Sequence, residues 1–379
     1  MKKRNFKKLE VIIDSEIIMI KNCYIHIPFC AKICSYCDFC KVLYDKKFIT
    51  NYLNALDLEI SKIYNNEELE TIYIGGGTPS SLSYSELEYL FKIVSKLRKT
   101  SDYEFTIECN FETITEEKLK LFKKYGVNRL SFGVESINNS NLQILDRKET
   151  KNKIITIMNV ARKIGFNNIN IDLMYAIPNE TMGVLLNDID FILSLNPEHI
   201  STYSLMIEKN TKLYIKDIKP INEELDYEMY KLICSKLKKK YNHYEISNFA
   251  KRGYESKHNL CYWKNREYYG FGLGASSYRD NIKYTNTRSL TNYISLKYDY
   301  YNEIVTKDDK MSYEMILGLR LLNGVSKEEF RKKYNLEIED YFDIKDLLNK
   351  NLLIDDGANY YISEDKLYVS NEILLNFIR

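Results

Sequence analysis

Five of the chain's eight cysteines fall in one stretch, CYIHIPFCAKICSYCDFCKV, residues 23–42. Within it Cys30, Cys34 and Cys37 form a C-x3-C-x2-C pattern just past an apolar, strand-like run. Thiolates at this spacing on a short loop can grip three corners of an iron–sulfur cubane. Three ligands leave one iron open, where a small molecule with an amine and a carboxylate can chelate. The competing chemistry is a structural zinc knuckle, but zinc wants four closed ligands, usually in two short-spaced pairs, and no second Cys or His pair follows. Cys40 lies close enough to be a fourth ligand and equally can be a passive neighbour. Cys23, Cys109, Cys234 and Cys261 are isolated, and each reads by default as a small buried hydrophobe.

Residues of this kind need a frame that brings distant segments together. Short β-branched or aromatic runs alternate with helical periodicity, the pattern of βα units around a parallel sheet. Strands are expected at residues 23–27, 71–74, 104–108, 129–133, 168–173 and 199–204, with helices at 46–64, 85–97, 115–125, 151–164 and 182–195. Each strand ends in a polar or Gly-rich stretch: HIPFCAKIC, GGGTPSS, ECN, GVES, DLMYAIP and YSLMIE. In parallel α/β folds those ends converge on one face. The fold class read here is α/β, a partial barrel of six βα units. Residues 1–21 read as an N-terminal extension, 22–220 as the barrel and 221–307 as an extension carrying HNLCYW. Residues 308–379 read as a small winged-helix-like α+β domain, with a helix at 312–322, a capping box at Ser326-Lys-Glu-Glu329 and two short strands around Asp356-Gly357.

Composition narrows the function classes. With 379 residues and a net charge of +2, both signs interspersed, the chain carries no electrostatic footprint for nucleic acid. Residues 308–379 hold 10 Lys or Arg against 15 Asp or Glu, which argues against DNA as that domain's ligand. The N-terminal apolar residues are interrupted by Glu10, Asp14 and Glu16, so no signal peptide is read, translation could start at Met1 or Met19, and a cytoplasmic location is expected. In that reducing compartment clustered cysteines favour metal or redox roles over disulfides.

C-x3-C-x2-C after a strand, with Tyr36 just before the third cysteine, resembles the radical S-adenosylmethionine (SAM) signature. YIHIPFC, GGGTPS, GVES, NIDLMYAIP, YEISNFA and HNLCYW, in this order, are similar to the HemN/HemW family, which joins oxygen-independent coproporphyrinogen III dehydrogenases and heme chaperones, and the resemblance covers roughly residues 22 to 370. The resemblance implies the radical-SAM partial barrel with a HemN-type C-terminal domain, a [4Fe–4S] cluster on Cys30, Cys34 and Cys37, and SAM on the fourth iron. It implies SAM contacts from Tyr24, Tyr36, Gly76, Gly77, Thr78, Glu108, Glu135, Arg147, Asp172 and Ser204. Relatives more often carry Gln at the position of Glu135 and Leu-Gly-Arg-x-His where this chain reads Leu145-Asp146-Arg147-Lys148-Glu149. That departure leaves open any role of the missing histidine.

Two features separate the branches. The dehydrogenase branch usually has a further cysteine two residues past the third ligand, and here that residue is Phe39. That branch also has a longer N-terminus. Both features favour the chaperone, with coproporphyrinogen III oxidative decarboxylation, or another radical SAM reaction on heme, as the alternatives. For the chaperone the resemblance implies heme as cargo, His258 of HNLCYW as its ligand, a heme-accepting protein as partner with membrane hemoproteins among the candidates, and a homodimer as an open assembly. His258 can equally be a hydrogen-bonded structural histidine. No separate catalytic residue is assigned.

Overall fold

The polar/apolar alternation in two strands explains the shape of the sheet. In β6 (Arg129–Glu135) and β7 (Ile169–Tyr175), Leu130, Phe132, Val134, Ile169 and Ile171 are fully buried in the main hydrophobic core, while Arg129, Ser131, Asn170 and Asp172 occupy the other face. Strands of an all-parallel sheet usually read as continuous apolar runs. Here one face packs under helices and the other lines a polar interior.

The computed structural model describes residues 19–298 and 301–379. Strands β1 (Asn22–Ile27), β4 (Leu69–Gly76), β5 (Lys99–Asn110), β6, β7 and β8 (His199–Ser204) pair in parallel, in that order. Two further strands, β2 (Phe29–Cys30) and β3 (Val42–Leu43), make a small ladder of their own. The main sheet is extended at one edge by β11 (Tyr269–Phe271), parallel to β1, and at the other by β10 (Asn248–Ala250) and β9 (Asn242–Glu245), antiparallel. All six strands expected from the sequence occur, each longer than or equal to its expected core. Helices α1 (Lys46–Ile63), α2 (Tyr84–Val94) and α3 (Glu116–Lys124) return the chain between the first strands, and α4 (Asn139–Leu145), α5 (Lys151–Ile164) and α6 (Met182–Ser194) do so between the later ones. In α5 the cause is plain: Thr150 caps the N-terminus by accepting from Lys153 N–H, Gly165 ends it in the left-handed region, and Ile154, Ile157, Met158 and Ala161 form its buried stripe.

Residues 221–307 pack on the barrel and share its apolar core. After α7 (Lys212–Ile215) and α8 (Glu223–Leu237) they supply β9, β10, α9 (Lys257–Trp263) and β11, and one apolar core runs from Ile20 to Tyr293. Buried Glu59 of α1 ties this segment down, accepting from Gly272 N–H (2.9 Å), Asn286 Nδ2 (2.8 Å) and Tyr293 OH (2.7 Å). A second core, Met311 to Phe377, belongs to the C-terminal domain, whose three-stranded sheet joins Val325–Ser326, Asn359–Tyr361 and Ile354–Asp355. Its first helix spans Lys307–Gly318 and not 312–322, because Thr306 and Asp309 form a reciprocal capping box that starts it earlier. Ser326 does cap the next helix, Lys327–Tyr334, through Glu329 N–H. The two cores meet where Leu322 N–H donates to Tyr244 O (3.1 Å) and Ile246 N–H to Arg320 O (3.3 Å). Of the expected N-terminal extension, residues 1–18 lie outside the described residues. Among the described residues no helix is long and apolar enough to cross a membrane.

Candidate functional site

The cysteine loop, residues 31–41, is closed at its base by the parallel ladder of β2 and β3, which pairs Cys30 with Leu43. It is held from outside by α4 and α7. Ser35 N–H donates to Leu145 O (3.2 Å) and Ser35 Oγ to Ile144 O (2.5 Å), while Leu213 N–H donates to Ser35 O (3.1 Å). Asp146, in the left-handed region at the end of α4, pairs with Lys32 (2.5 Å) and Lys212 (2.9 Å), and Lys212 Nζ also donates to Ile33 O. Sequence periodicity missed α4, a helix too short for its period to register.

Cys30, Cys34 and Cys37 line one cavity of about 160 Å³ with Tyr36, Gly76, Gly77, Thr78, Glu108, Glu135, Arg147 and Asp172. Eleven of the fourteen site residues expected from the sequence therefore share a single space. The Gly75-Gly76-Gly77 turn hugs the loop: a Cβ on Gly77 would come within 2.5 Å of Pro28 O and 2.9 Å of Cys30 Sγ. Thr78 Oγ1 donates to Cys30 Sγ (3.7 Å). Burial pushes the Cys30 thiol up to about 11, opposed by Thr78, and raises Cys34 and Cys37 as well. Among the described residues no three His, Cys, Asp or Glu side chains converge on a point suited to a single ion. Three soft thiols spread around a cavity suit the corners of a polynuclear iron–sulfur body better than one tetrahedral zinc. By donor chemistry and by the glycine cradle, the residues present fit a [4Fe–4S] cluster.

Three carboxylates, Glu108, Glu135 and Asp172, line the rest of the cavity together with Lys32, Lys41 and Arg147. Glu108 accepts from Tyr73 OH (2.9 Å) and Gly76 N–H (2.9 Å), yet burial raises it to about 7. Glu135 sits at a bulge in β6, with φ of 62°, which turns its carboxylate into the cavity to meet Tyr36 OH (3.2 Å) and Arg147 (3.6 Å). Arg147 is itself buried, donating to Gly133 O (2.6 Å) and pairing with buried Glu149 (2.7 Å). Glu149 is thus the partner that fixes the guanidinium. Asp172 accepts from Asn170 Nδ2 (2.7 Å), and burial raises its pKa as it does that of Glu135. Asn170 and Ser131, joined at 2.8 Å, were not singled out in the sequence, although polar residues at every second position of a strand were the signal.

Three expected site residues lie elsewhere. Tyr24 OH bonds His26 Nδ1 (2.9 Å), with its ring beside Tyr73 and His258. Ser204 Oγ donates to Asp226 (2.6 Å). His258, the expected heme ligand, is 1% exposed and both ring nitrogens are used, Nδ1 with Thr71 Oγ1 (2.7 Å) and Nε2 with Tyr262 OH (2.8 Å). Thr71 gives its own proton to Asn22 (3.0 Å), so Nδ1 donates and Nε2 accepts. Burial, with Arg129 nearby, drops its pKa to about 3 and keeps the ring neutral. Heme ligation would require breaking both bonds and exposing the ring. Cys40 is absent from the cavity wall and lies against Gly274, its Sγ 2.9 Å from where a Cβ would be. A larger cavity, about 850 Å³, lies at the junction with the C-terminal domain among Lys21, Glu70, Lys310, Glu314 and Lys333, and no thiol lines it.

This geometry can be set against known proteins. Residues 24–192 match the Radical SAM superfamily and residues 305–365 the HemN C-terminal domain. The chain is 40% identical over 377 residues to the heme chaperone HemW of Bacillus subtilis (strain 168), covering 95% of this chain and 99% of that protein. It is 37% identical to HemW of Lactococcus lactis subsp. lactis (strain IL1403), covering 94% and 96%, and 32% identical to HemW of Escherichia coli (strain K12), covering 81% and 84%. Among solved structures, coproporphyrinogen III oxidase (HemN) from Escherichia coli, a radical SAM enzyme, superposes with a TM-score of 0.84 over 95% of this chain and 90% of that one, at 21% identity, a likeness of fold. With the radical SAM barrel, the HemN-type C-terminal domain and full-length identity of up to 40% to these chaperones, the chain belongs to the HemW family of the radical SAM superfamily.

Proposed function

We propose that this protein is a heme chaperone that holds a [4Fe–4S] cluster on Cys30, Cys34 and Cys37, binds SAM beside it, and passes heme to an acceptor protein. The observation that carries the reading is the near end-to-end identity to heme chaperones, against a likeness of fold alone to the oxidase. Phe39, 66% exposed at the cavity rim, supports the chaperone branch, since the neighbouring Cys40 faces Gly274 and supplies no further thiol to the cavity. Bound SAM would supply the capacity for reductive cleavage common to the superfamily. The chain's own residues would then orient it: the glycine backbone at Gly76 and Gly77 allows close approach, Thr78 bonds Cys30, and the acidic groups Glu108, Glu135 and Asp172 suit the positive sulfonium and amino groups. Arg147 would take the SAM carboxylate while Gly133 O and Glu149 hold its fork in place. Tyr24, Ser204 and His258 lie outside the cavity lining.

The test is anaerobic. Reconstituted, reduced protein is given SAM with coproporphyrinogen III, and separately heme with an apo-hemoprotein. Heme binding and transfer with no porphyrin product is the expected result; multiple-turnover protoporphyrinogen would make the protein a dehydrogenase.

A further inference from the structure

Arg129 opens β6 on the polar interior of the barrel and is 2% exposed. Among the described residues it makes no ion pair, and its Nε has no hydrogen-bond partner. Directly across the ladder, Thr106 Oγ1 is also buried without a partner. A bare guanidinium inside a protein is costly unless an opposite charge compensates it. Two residues further along the same pair of strands, Glu108 stands opposite Ser131 and faces the same interior. Glu108 and Asp172 likewise lack an ion pair among the described residues, because Arg147 is taken by Glu135 and Glu149. The interior therefore has two halves: an upper one, where Arg147 is clamped between carboxylates, and a lower one, where Arg129 shares a face with three carboxylates and, among the described residues, pairs with none. Glu104 accepts from Lys257 N–H and His258 N–H, while Glu108 and Asp172 act on Arg129 without contact.

We propose that Arg129 is a positioning residue for SAM, the buried counter-charge that holds Glu108 and Asp172 as carboxylates able to receive the bound molecule. The inference rests on the SAM-binding reading above. Burial raises both acids; hydrogen bonds oppose it first, from Gly76 and Tyr73 on Glu108 and from Asn170 and Ser201 on Asp172, and Arg129 adds to them on both, favouring the ionised form. The groups facing this trio are Tyr73 of β4 and Cys109 of β5, Glu135 at the end of β6, Tyr203 of β8, and Arg147. His199, Tyr244 and His258 face Arg129 from β8, β9 and α9, the two histidines held neutral and Tyr244 a phenol; Glu104, two residues before Thr106 on the same face of β5, is the further charge on this side, and its carboxylate is engaged by Lys257 N–H and His258 N–H.

The test is SAM affinity of the cluster-loaded, full-length protein by equilibrium dialysis across about pH 6 to 9, for wild type, Arg129→Met and Arg129→Lys, with iron content as the folding control. Wild type should lose affinity as pH falls and the carboxylates take up protons. Arg129→Met should bind about tenfold more weakly at neutral pH, with the midpoint of its pH profile moved up by about one unit, and Arg129→Lys should restore the wild-type midpoint. If Arg129→Met does not load its cluster, Arg129→Gln takes its place with the same expectation. A neutral variant whose midpoint is that of wild type, whatever its affinity, overturns the proposal by making Arg129 a packing residue. Wild-type protein that carries its cluster and binds no SAM overturns instead the reading beneath it, and the inference with it.

Discussion

At the scale of single residues, burial decides what each polar group can do. Glu108 takes up its proton at about 7 in the fold against 4.5 for a free side chain. Between those values the folded state keeps a proton that the unfolded state has lost, so stability falls as pH rises through that window. Glu108→Gln should therefore stabilise the cofactor-free protein, by up to about 3 kcal/mol near pH 8 and by little near pH 4. Urea midpoints at the two pH values measure it, and equal gains at both would contradict the assignment. His258 makes the opposite case. His258→Ala leaves the Thr71 and Tyr262 hydroxyls facing a cavity and should cost about 2–4 kcal/mol, while the visible spectrum of bound heme stays unchanged. A shifted heme spectrum would restore the histidine as a ligand. For the thiols, Ala at Cys30, Cys34 or Cys37 should abolish iron–sulfur absorption after anaerobic reconstitution, whereas Cys40→Ala retains it.

At the scale of elements, the cysteine loop works because it is clamped on three sides: the β2–β3 ladder below, α4 and α7 outside, and the glycine turn after β4 within. The turn leaves the least room. Gly77 has ordinary backbone angles, so its requirement is purely steric, set by Pro28 O and Cys30 Sγ. Gly76 adds a φ of 119° and faces the His26 ring, where a Cβ would meet Cε1 at 2.5 Å. His26 in turn reaches Cys40 O (2.6 Å), so any displacement is passed to the far end of the loop. Gly77→Ala should lower the iron content after reconstitution several-fold while far-UV circular dichroism stays native. Full cluster loading in that variant would show that the turn yields and the loop is not clamped as described.

At the scale of the whole molecule, segments far apart in sequence share one core. Glu59 lies on the first helix, yet its partners are Gly272, Asn286 and Tyr293, more than two hundred residues on. Removing the carboxylate strands buried donors on three segments. Glu59→Ala should cost about 3–5 kcal/mol, and the barrel strands should melt together with the 242–293 region in one transition. Separate transitions, resolved by hydrogen exchange, would mean that the segment is an independent unit.

The order of strands, the apolar helix stripes and the cysteine motif were legible in the sequence, because each depends on local periodicity, capping or spacing within a few residues. The residues of the cavity wall were named by the family resemblance, and parallel strands, whose C-terminal ends converge on one face, explain why the stretches that carry them meet. Other features were settled only in three dimensions. Whether His258 is open or closed depends on Thr71 and Tyr262; Arg147 is fixed by Glu149 and Gly133 O; and α4 is too short to show a period. Residues 242–271 join the barrel sheet through edge pairings that local pattern does not specify. Spacing along the chain determined which residues could do chemistry. Burial, which depends on the partners that surround a group from every side, decided which of them are free to do it.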